Sequence, residues 1–320
     1  MIRHALIAGV TGIIGRHLAE HLVERGGWKV SGISRGSTAV PEGVASISAD
    51  LNNAQSARTL LKTVDATHVF ITAWSRQATE AGNCRVNGAM VANLLNAVSD
   101  KKIAHVALVT GLKHYLGPFE AYASAKPVTP FREEQPRLSS QNFYYVQEDA
   151  VLAAAARDGF TWSVHRHHTL IGYAVGNAMN MASTLAAYAA ICRETGRPFV
   201  FPGSLEQYVG AIDVTDGRIL AKHLEWASTT PAAANAAFNV VNGEIFRWNW
   251  LWRGWQNIST SKPATIQGAR RHLQKAPQAW KLCGTRSLPS MAFRKIRSAG
   301  LPPGGIPIWI WAARSKTSQT

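Results

Sequence analysis

Along the first half of the chain, short apolar runs alternate with longer stretches whose apolar positions recur every three or four residues. The short runs at 4–8, 29–34, 68–72, 103–109 and 161–165 are predicted strands, and the periodic stretches at 13–25, 54–63, 83–98 and 143–157 are predicted helices. Strands alternating with helices imply a parallel sheet covered on both faces. The expected fold is therefore α/β, a doubly wound sheet of the Rossmann kind. Further on, 176–196 reads as another helix and 198–201 as a short strand before Pro202-Gly203. No internal repeat or low-complexity linker divides the chain.

The end of the first strand runs into Gly9-Val-Thr11-Gly12-Ile13-Ile14-Gly15, which opens the first helix. A glycine triplet in this position has a mechanical sense. The first glycine permits a tight turn, the second lets the backbone approach a diphosphate, and the third allows the helix to pack closely, with the phosphates at the helix N-terminus. The end of the second strand discriminates between dinucleotides, because an acid there accepts the ribose hydroxyls whereas a cation favours a 2′-phosphate. Here it reads Ser34-Arg35 with no acid, so NADPH is the expected cofactor.

Ligands of open α/β sheets bind beyond the C-terminal ends of the strands. The run Val109-T-G-L-K-H-Y-L-G-P-F-Glu120 places Lys113 just past such an end, and Tyr144 and Tyr145 follow in N-F-Y-Y-V-Q-E-D at the start of the 143–157 helix. A lysine and a phenol converging there suggest hydride-transfer chemistry. The more usual arrangement, a tyrosine with a lysine four residues later, is missing: Glu148 follows Tyr144 and Asp149 follows Tyr145. The two tyrosines lie about 100° apart around a helix, so only one can face a nicotinamide while the other packs.

These segments, together with W-S-V-H-R, Y-A-A-I-C-R and F-N-V-V-N-G-E-I-F-R-W, taken in order over residues 2–252, resemble the progesterone 5β-reductase/iridoid synthase family. That family is an atypical branch of the extended short-chain dehydrogenase/reductases. The resemblance implies a Rossmann core over 1–173 and a small substrate lobe built from 174–252, interleaved with the end of the core. It implies reduction of an enone or enal, with hydride passing from NADPH to the β-carbon while Lys113 and a tyrosine, Tyr144 favoured over Tyr145, stabilise the enolate oxygen. It places Asp50-Leu51 at the adenine, Thr72-Ala73-Trp74 towards the ribose and diphosphate, and Thr110, Gly111, His168 and Ile171 beside the nicotinamide. Asn180 is matched to a substrate-side asparagine. Two departures stand out: Arg35 matches only the second of the family's arginine pair, and His167 stands where the family has proline. Asp50 has an ordinary alternative role as N-cap of the 54–63 helix.

Composition changes the picture beyond residue 252. The formal charge is +15, yet residues 245–320 hold 13 Lys and Arg and no Asp or Glu, leaving 21 basic and all 19 acidic side chains in 1–244. At average usage about nine acids are expected in such a stretch. Seven of the eleven tryptophans also fall there, without an evident helical or strand period. A basic, Trp-rich arm that stacks on single-stranded nucleic acid is one reading. The other is a shift of reading frame, which also accounts for the end of the resemblance. In the codons allowed for 255–259, reading two bases later permits Ala-Glu-Tyr-Phe after a Leu, Val or Met, close to the family's continuing L-A-E-x-F helix. On this reading 253–320 is an aberrant tail, disordered or out of frame.

Cysteines 84, 192 and 283 are odd in number and lack C-x-x-C spacing, so neither a disulfide framework nor a zinc site is expected. His165-Arg166-His167-His168 crosses a strand end at spacings that do not converge on a metal. No apolar run approaches the ~20 residues of a membrane helix. The expectation is a cytoplasmic NADPH-dependent reductase of a small enone or enal, with no metal, nucleic acid or membrane partner, and with a homodimer left open. Two other classes remain: a non-catalytic NADP-binding sensor, and an epimerase/dehydratase-like enzyme.

Overall fold

The apolar runs form strands because each is buried on two faces, which selects continuous rather than alternating apolar sequence. The computed structural model of the chain describes residues 2–36, 39–121, 127–175 and 180–259. Strand β1 (Arg3–Ala8) leads into α1 (Ile13–Arg25), followed by β2 (Trp28–Ser34), β3 (Ala45–Ser48) and α2 (Ala54–Leu61). Then come β4 (His68–Ile71), α3 (Glu80–Ala97), β5 (His105–Gly111), the single turn α4 (Lys113–Leu116), α5 (Phe143–Asp158) and β6 (Thr161–His167). The rest comprises β7 (Thr169–Ile171), α6 (Met181–Glu194), α7 (Leu205–Val209), β8 (Ala211–Ile212), β9 (Val214–Asp216), α8 (Gly217–Thr229), β10 (Ala236–Val240), β11 (Phe246–Arg247) and α9 (Trp248–Ser259).

Seven strands form one parallel sheet in the order β3-β2-β1-β4-β5-β6-β10. The order reverses between β1 and β4, which opens a crevice at their C-terminal ends. Side chains alternate across the sheet. Leu6, Val69, Ile71, Val106 and Leu108 pack with Leu61, Val91, Leu94 and Val151 of α2, α3 and α5. Ala5, Ile7, Phe70 and Ala107 pack with Leu18, Leu22, Leu220 and Leu224 of α1 and α8. Each fully buried Leu, Ile or Phe contributes roughly 1.5–3 kcal/mol, so the two faces together anchor the strand ends that carry the site.

The element boundaries differ from the sequence expectation where polar residues take part. Strand β5 begins at His105 rather than 103 and runs on to Gly111, so Lys113 opens a helical turn instead of lying on a loop. Helix α3 starts at Glu80, not 83, because the Thr79 side chain caps it by accepting from the Gly82 N–H. Asn83 and Asn87 inside that helix hold the preceding segment, accepting from the Gln77 and Ser75 amides. The strand expected at 198–201 reduces to an isolated bridge at Phe199.

By its internal contacts the chain divides into two units. The first runs to Met181 and takes up Asp213–Ile245, because β10 pairs with β6 and α8 covers the main sheet. The second comprises, among the described residues, Ala182–Ile212 and 246–259. Its core is aromatic: Trp252 stacks on Phe199 with ring centroids 4.3 Å apart and meets Phe201 edge-on at 5.2 Å, while Trp248 lies 5.8 Å from Phe201. Trp255 stacks on Phe199 as well. The tryptophans 248, 252 and 255 therefore do have a helical period, contrary to the expectation for this stretch, and they define the inward side of α9. Residues 260–320, most of the tail read as out of frame, lie outside the described residues.

Candidate active site at the strand ends

The turn after β1 is built from close backbone contacts. Gly9 has φ +89°, and a Cβ there would sit 2.9 Å from the Ala73 backbone after β4. A Cβ on Gly15 would lie 2.3 Å from the Gly9 carbonyl oxygen, so α1 packs directly on the turn. Gly12 is the N-cap and supplies no side-chain cap, and the first turn of α1 carries no acid. The positive end of the helix dipole thus faces the crevice with no acid of its own first turn against it, as suits a diphosphate. Thr11 lies in the turn and Ile13 and Ile14 are buried at the helix start. Thr72 locks this turn to β4, its hydroxyl donating to the Ala8 carbonyl at 2.8 Å.

Two hydroxyls at the C-terminal ends of strands are buried without a protein partner: Ser34 Oγ on β2 and Thr110 Oγ1 on β5. Buried hydroxyls of this kind are completed by a ligand group or an ordered water. Arg35 is exposed immediately after Ser34. Leu51 is buried, and Asp50 is exposed with its carboxylate accepting from the Asn52 amide at 3.0 Å. Asp50 is not the N-cap of α2; Asn53 is, accepting from the Ser56 N–H. These residues fit a nicotinamide dinucleotide laid across the crevice.

At the end of β5 the structure separates the two tyrosines. Tyr145 is buried, its hydroxyl donating to the His114 carbonyl at 2.6 Å and accepting from the Leu138 N–H at 3.0 Å. Its phenol is committed to holding the 113–116 turn. Tyr144 points the other way, its hydroxyl 3.4 Å from where a Cβ on Gly111 would be. The phenol therefore lies over the strand end. Burial first, and the Glu80 carboxylate second, push its pKa well above the ordinary tyrosine value, so it stays a proton donor.

Lys113 is almost fully buried, and its ammonium donates to Glu80 Oε2 at 2.8 Å and lies 5.4 Å from the centre of the Phe143 ring. Phe143 in turn stacks on Trp74 at 5.8 Å. Glu80 was absent from the sequence reading. An acid in the first turn of a helix behind a threonine cap looks like ordinary helix capping, and its reach across to Lys113 becomes visible only in three dimensions.

Other expected residues also make contacts within the protein. Asn180 is buried, donating to the Gly172 carbonyl at 3.0 Å, and so braces the segment after β7. The His168 ring is hydrogen-bonded to Asp213 and the His168 backbone N–H donates to Thr215 Oγ1 at 3.0 Å, while Ile171 is buried. The run 165–168 diverges: His165 contacts His223, Arg166 donates to Tyr115, and His168 turns to Asp213. Among the described residues no group of three or more His, Cys, Asp or Glu could hold a metal, and no helix is long and apolar enough to cross a membrane.

A parallel sheet with this strand order and a glycine cradle after its first strand defines a Rossmann fold of the short-chain oxidoreductase type. The NAD dependent epimerase/dehydratase family matches residues 5–240. The chain is 41% identical over 260 residues, 78% of its length and 67% of the relative's, to the (S)-8-oxocitronellyl enol synthase of Nepeta cataria. It is 40% identical, with the same coverage, to the 3-oxo-Delta(4,5)-steroid 5-beta-reductase of Arabidopsis thaliana. The chain belongs to the NAD dependent epimerase/dehydratase family and, within it, to the progesterone 5β-reductase/iridoid synthase group that its motifs indicate; it is an enzyme of oxidoreductase type. Among solved structures it resembles the Bordetella bronchiseptica enzyme WbmH in complex with NAD+, with TM-score 0.62 at 18% identity, over 82% of this chain and 83% of that one. It also resembles the UDP-glucose 4-epimerase of Thermotoga maritima with UDP-glucose, with TM-score 0.64 at 16% identity, over 82% and 86%. At those identities the likeness concerns the fold.

Proposed function

We propose that this enzyme reduces the activated double bond of a small enone or enal with NADPH. The observation that carries the reading is the phenol of Tyr144 over Gly111, with the Lys113 ammonium on the adjoining turn. The names of the relatives, an enol synthase and a reductase of a 3-oxo-Delta(4,5)-steroid, agree with chemistry at a carbonyl-conjugated alkene. Gly9, Thr11, Gly12, Ile13, Ile14 and Gly15 would hold the diphosphate, Asp50 and Leu51 the adenine, and Thr72, Ala73 and Trp74 the ribose side. Thr110, Gly111, His168 and Ile171 would border the nicotinamide. Ser34 and Arg35 favour the phosphorylated cofactor, because a guanidinium pairs with a 2′-phosphate and no acid repels it.

NADPH, when bound there, would supply a hydride for the β-carbon of the substrate. As that carbon gains its hydrogen, the alkene electron pair shifts towards the carbonyl and negative charge gathers on oxygen. Tyr144, kept neutral, donates a hydrogen bond to that oxygen, and the charge of Lys113 on the next turn lowers the local cost; a preorganised donor of this kind is worth about 3 kcal/mol. Solvent returns a proton to the α-carbon, giving the saturated carbonyl compound. Asn180, whose side-chain amide braces the Gly172 segment, would meet the substrate from that side.

The test is turnover of the full chain with NADPH carrying deuterium at C4, against a cyclic enone and an acyclic enal. The expected product is the saturated ketone or aldehyde with deuterium at the β-carbon. An allylic alcohol, or NADPH binding without turnover of either compound, would refute the reading.

A further inference from the structure

One carboxylate in this site accepts hydrogen bonds from three elements. Glu80 opens α3, and its Oε2 accepts from the Lys113 ammonium of α4 at 2.8 Å and from Asn83 Nδ2 of its own helix at 3.2 Å. Its Oε1 accepts at 2.7 Å from the backbone N–H of Phe143, the residue that opens α5 and precedes Tyr144. The pair is shielded from water, with side-chain exposures of 1% for Lys113 and 10% for Glu80. Only a carboxylate meets these demands. A glutamine has one oxygen and one amide nitrogen, so either orientation sets an N–H2 against a donor, Phe143 on one side or Lys113 and Asn83 on the other. Aspartate keeps both oxygens but loses a methylene of reach.

We infer that Glu80 is a positioning residue of the reductase site: by joining Lys113 to the start of α5 it fixes the lysine charge and the Tyr144 phenol in one geometry at the end of β5. The inference rests on Tyr144 and Lys113 being the groups that meet the substrate oxygen. Among the described residues, the titratable groups packed around them include Glu80 and Cys84 of α3 and His167 at the end of β6. The Glu80 charge raises both the Cys84 thiol and the Tyr144 phenol, after the larger effect of burial. Because the Glu80 carboxylate helps to raise the Tyr144 phenol, its removal brings that phenol down and narrows the pH range in which it stays a donor.

Two readouts on the full chain test this, with Glu80→Gln and Glu80→Asp as variants. Hydrogen–deuterium exchange needs no turnover: in Glu80→Gln the Phe143 amide and the first turn of α5 should exchange about tenfold faster or more, since an N–H that has lost its acceptor opens readily. In enone turnover, Glu80→Gln should lower kcat about tenfold or more and move the alkaline limb of the kcat–pH profile down by about one unit, with NADPH affinity held within about twofold. Glu80→Asp keeps the charge, so its limb should stay in place while kcat falls for want of reach. Unchanged exchange at Phe143, or altered exchange with unchanged kcat and pH profile, overturns the inference. If the parent enzyme turns over no enone while exchange at Phe143 responds to Glu80→Gln, the geometric role stands and the proposed reaction fails. Should Glu80→Gln not fold, Glu80→Asp decides: a kcat equal to that of the parent overturns the inference.

Discussion

Replacing each of the adjacent tyrosines by phenylalanine separates catalysis from architecture. Tyr144→Phe removes the phenol over Gly111. If that phenol stabilises the developing oxyanion, the loss is about 3 kcal/mol in the transition state, or roughly a hundredfold in kcat, with KM nearly unchanged because the substrate carbonyl carries little charge before reduction. Stability should change little. Tyr145→Phe does the opposite. It leaves the His114 carbonyl without its donor at 2.6 Å and the Leu138 N–H without its acceptor at 3.0 Å. Unsatisfied buried groups cost about 1–3 kcal/mol each, so a loss of about 2–4 kcal/mol is expected, partly relieved if water enters. The assays are initial rates with NADPH and an enone, beside urea unfolding midpoints of the same preparations. A Tyr145→Phe variant that is stable but slow, together with a Tyr144→Phe variant of parental rate, would refute this assignment of the two rings.

Gly15→Ala should weaken NADPH binding about tenfold or more and cost about 1–3 kcal/mol of stability, because the new Cβ meets backbone at 2.3 Å; fluorescence titration checks it, and parental affinity would count against the cradle. Trp252→Ala should cost about 3–5 kcal/mol by removing the ring stacked on Phe199 at 4.3 Å, and an unfolding midpoint within 1 kcal/mol of the parent, on that same order-of-magnitude scale, would mean that α9 contributes little. Burial brings His68 and His105 down to about 4, the charge of Arg3 adding to the first and that of His68 to the second. Depressed histidines are neutral in both states above the ordinary value of ~6.5, and below it the unfolded chain gains protons first. Stability should therefore be flat above ~6.5 and fall on acidification towards about 4, by up to about 1.4 kcal/mol per pH unit for each histidine. Urea midpoints between neutral pH and pH ~5 measure this; a flat profile there would refute it.

The legible part of the fold is the part governed by burial on two faces. Runs such as Ala5-Leu6-Ile7-Ala8 and Val69-Phe70-Ile71 announce strands because both sides of each strand are apolar. The glycine turn is legible because its glycines are required by backbone contacts rather than by side chains. The choice between Tyr144 and Tyr145 was not, since helical spacing gives their angle to one another and not the direction of the sheet. The three tryptophans facing Phe199 and Phe201 were hidden for a different reason: their helix lies where acids vanish from the sequence, and composition obscured the period. Glu80 escaped because its partners come from segments far apart in the chain, Lys113 and Phe143.

The placement of the lysine on α4 follows from what occupies the usual position. Four residues after Tyr144 stands Glu148, buried, with Oε2 2.9 Å from Arg137 and Oε1 3.8 Å from Arg166 and 3.7 Å from His114. Burial alone would raise its pKa, but the His114 ring and the charges of Arg166 and Arg137 bring it below the ordinary range, so it stays ionised. Arg166 also donates to Tyr115 at 3.1 Å, and Tyr115 donates to Asn239 of β10 at 2.7 Å. An acid on α5 thus ties together the turn at α4 and the strands β6 and β10. A lysine in its place would face two arginines in a poorly solvated interior, and the repulsion would undo the cluster that positions His114 and Tyr115. With a carboxylate required on that face of α5, the positive charge for the strand end has to come from another element. The first residue of α4, two positions beyond the end of β5, supplies it, and that position needs its own counter-ion from α3. Lys113, Glu80 and Glu148 are in this sense one arrangement: an acid on α5 ties α4 to β6, and the lysine that opens α4 pairs with a second acid, on α3.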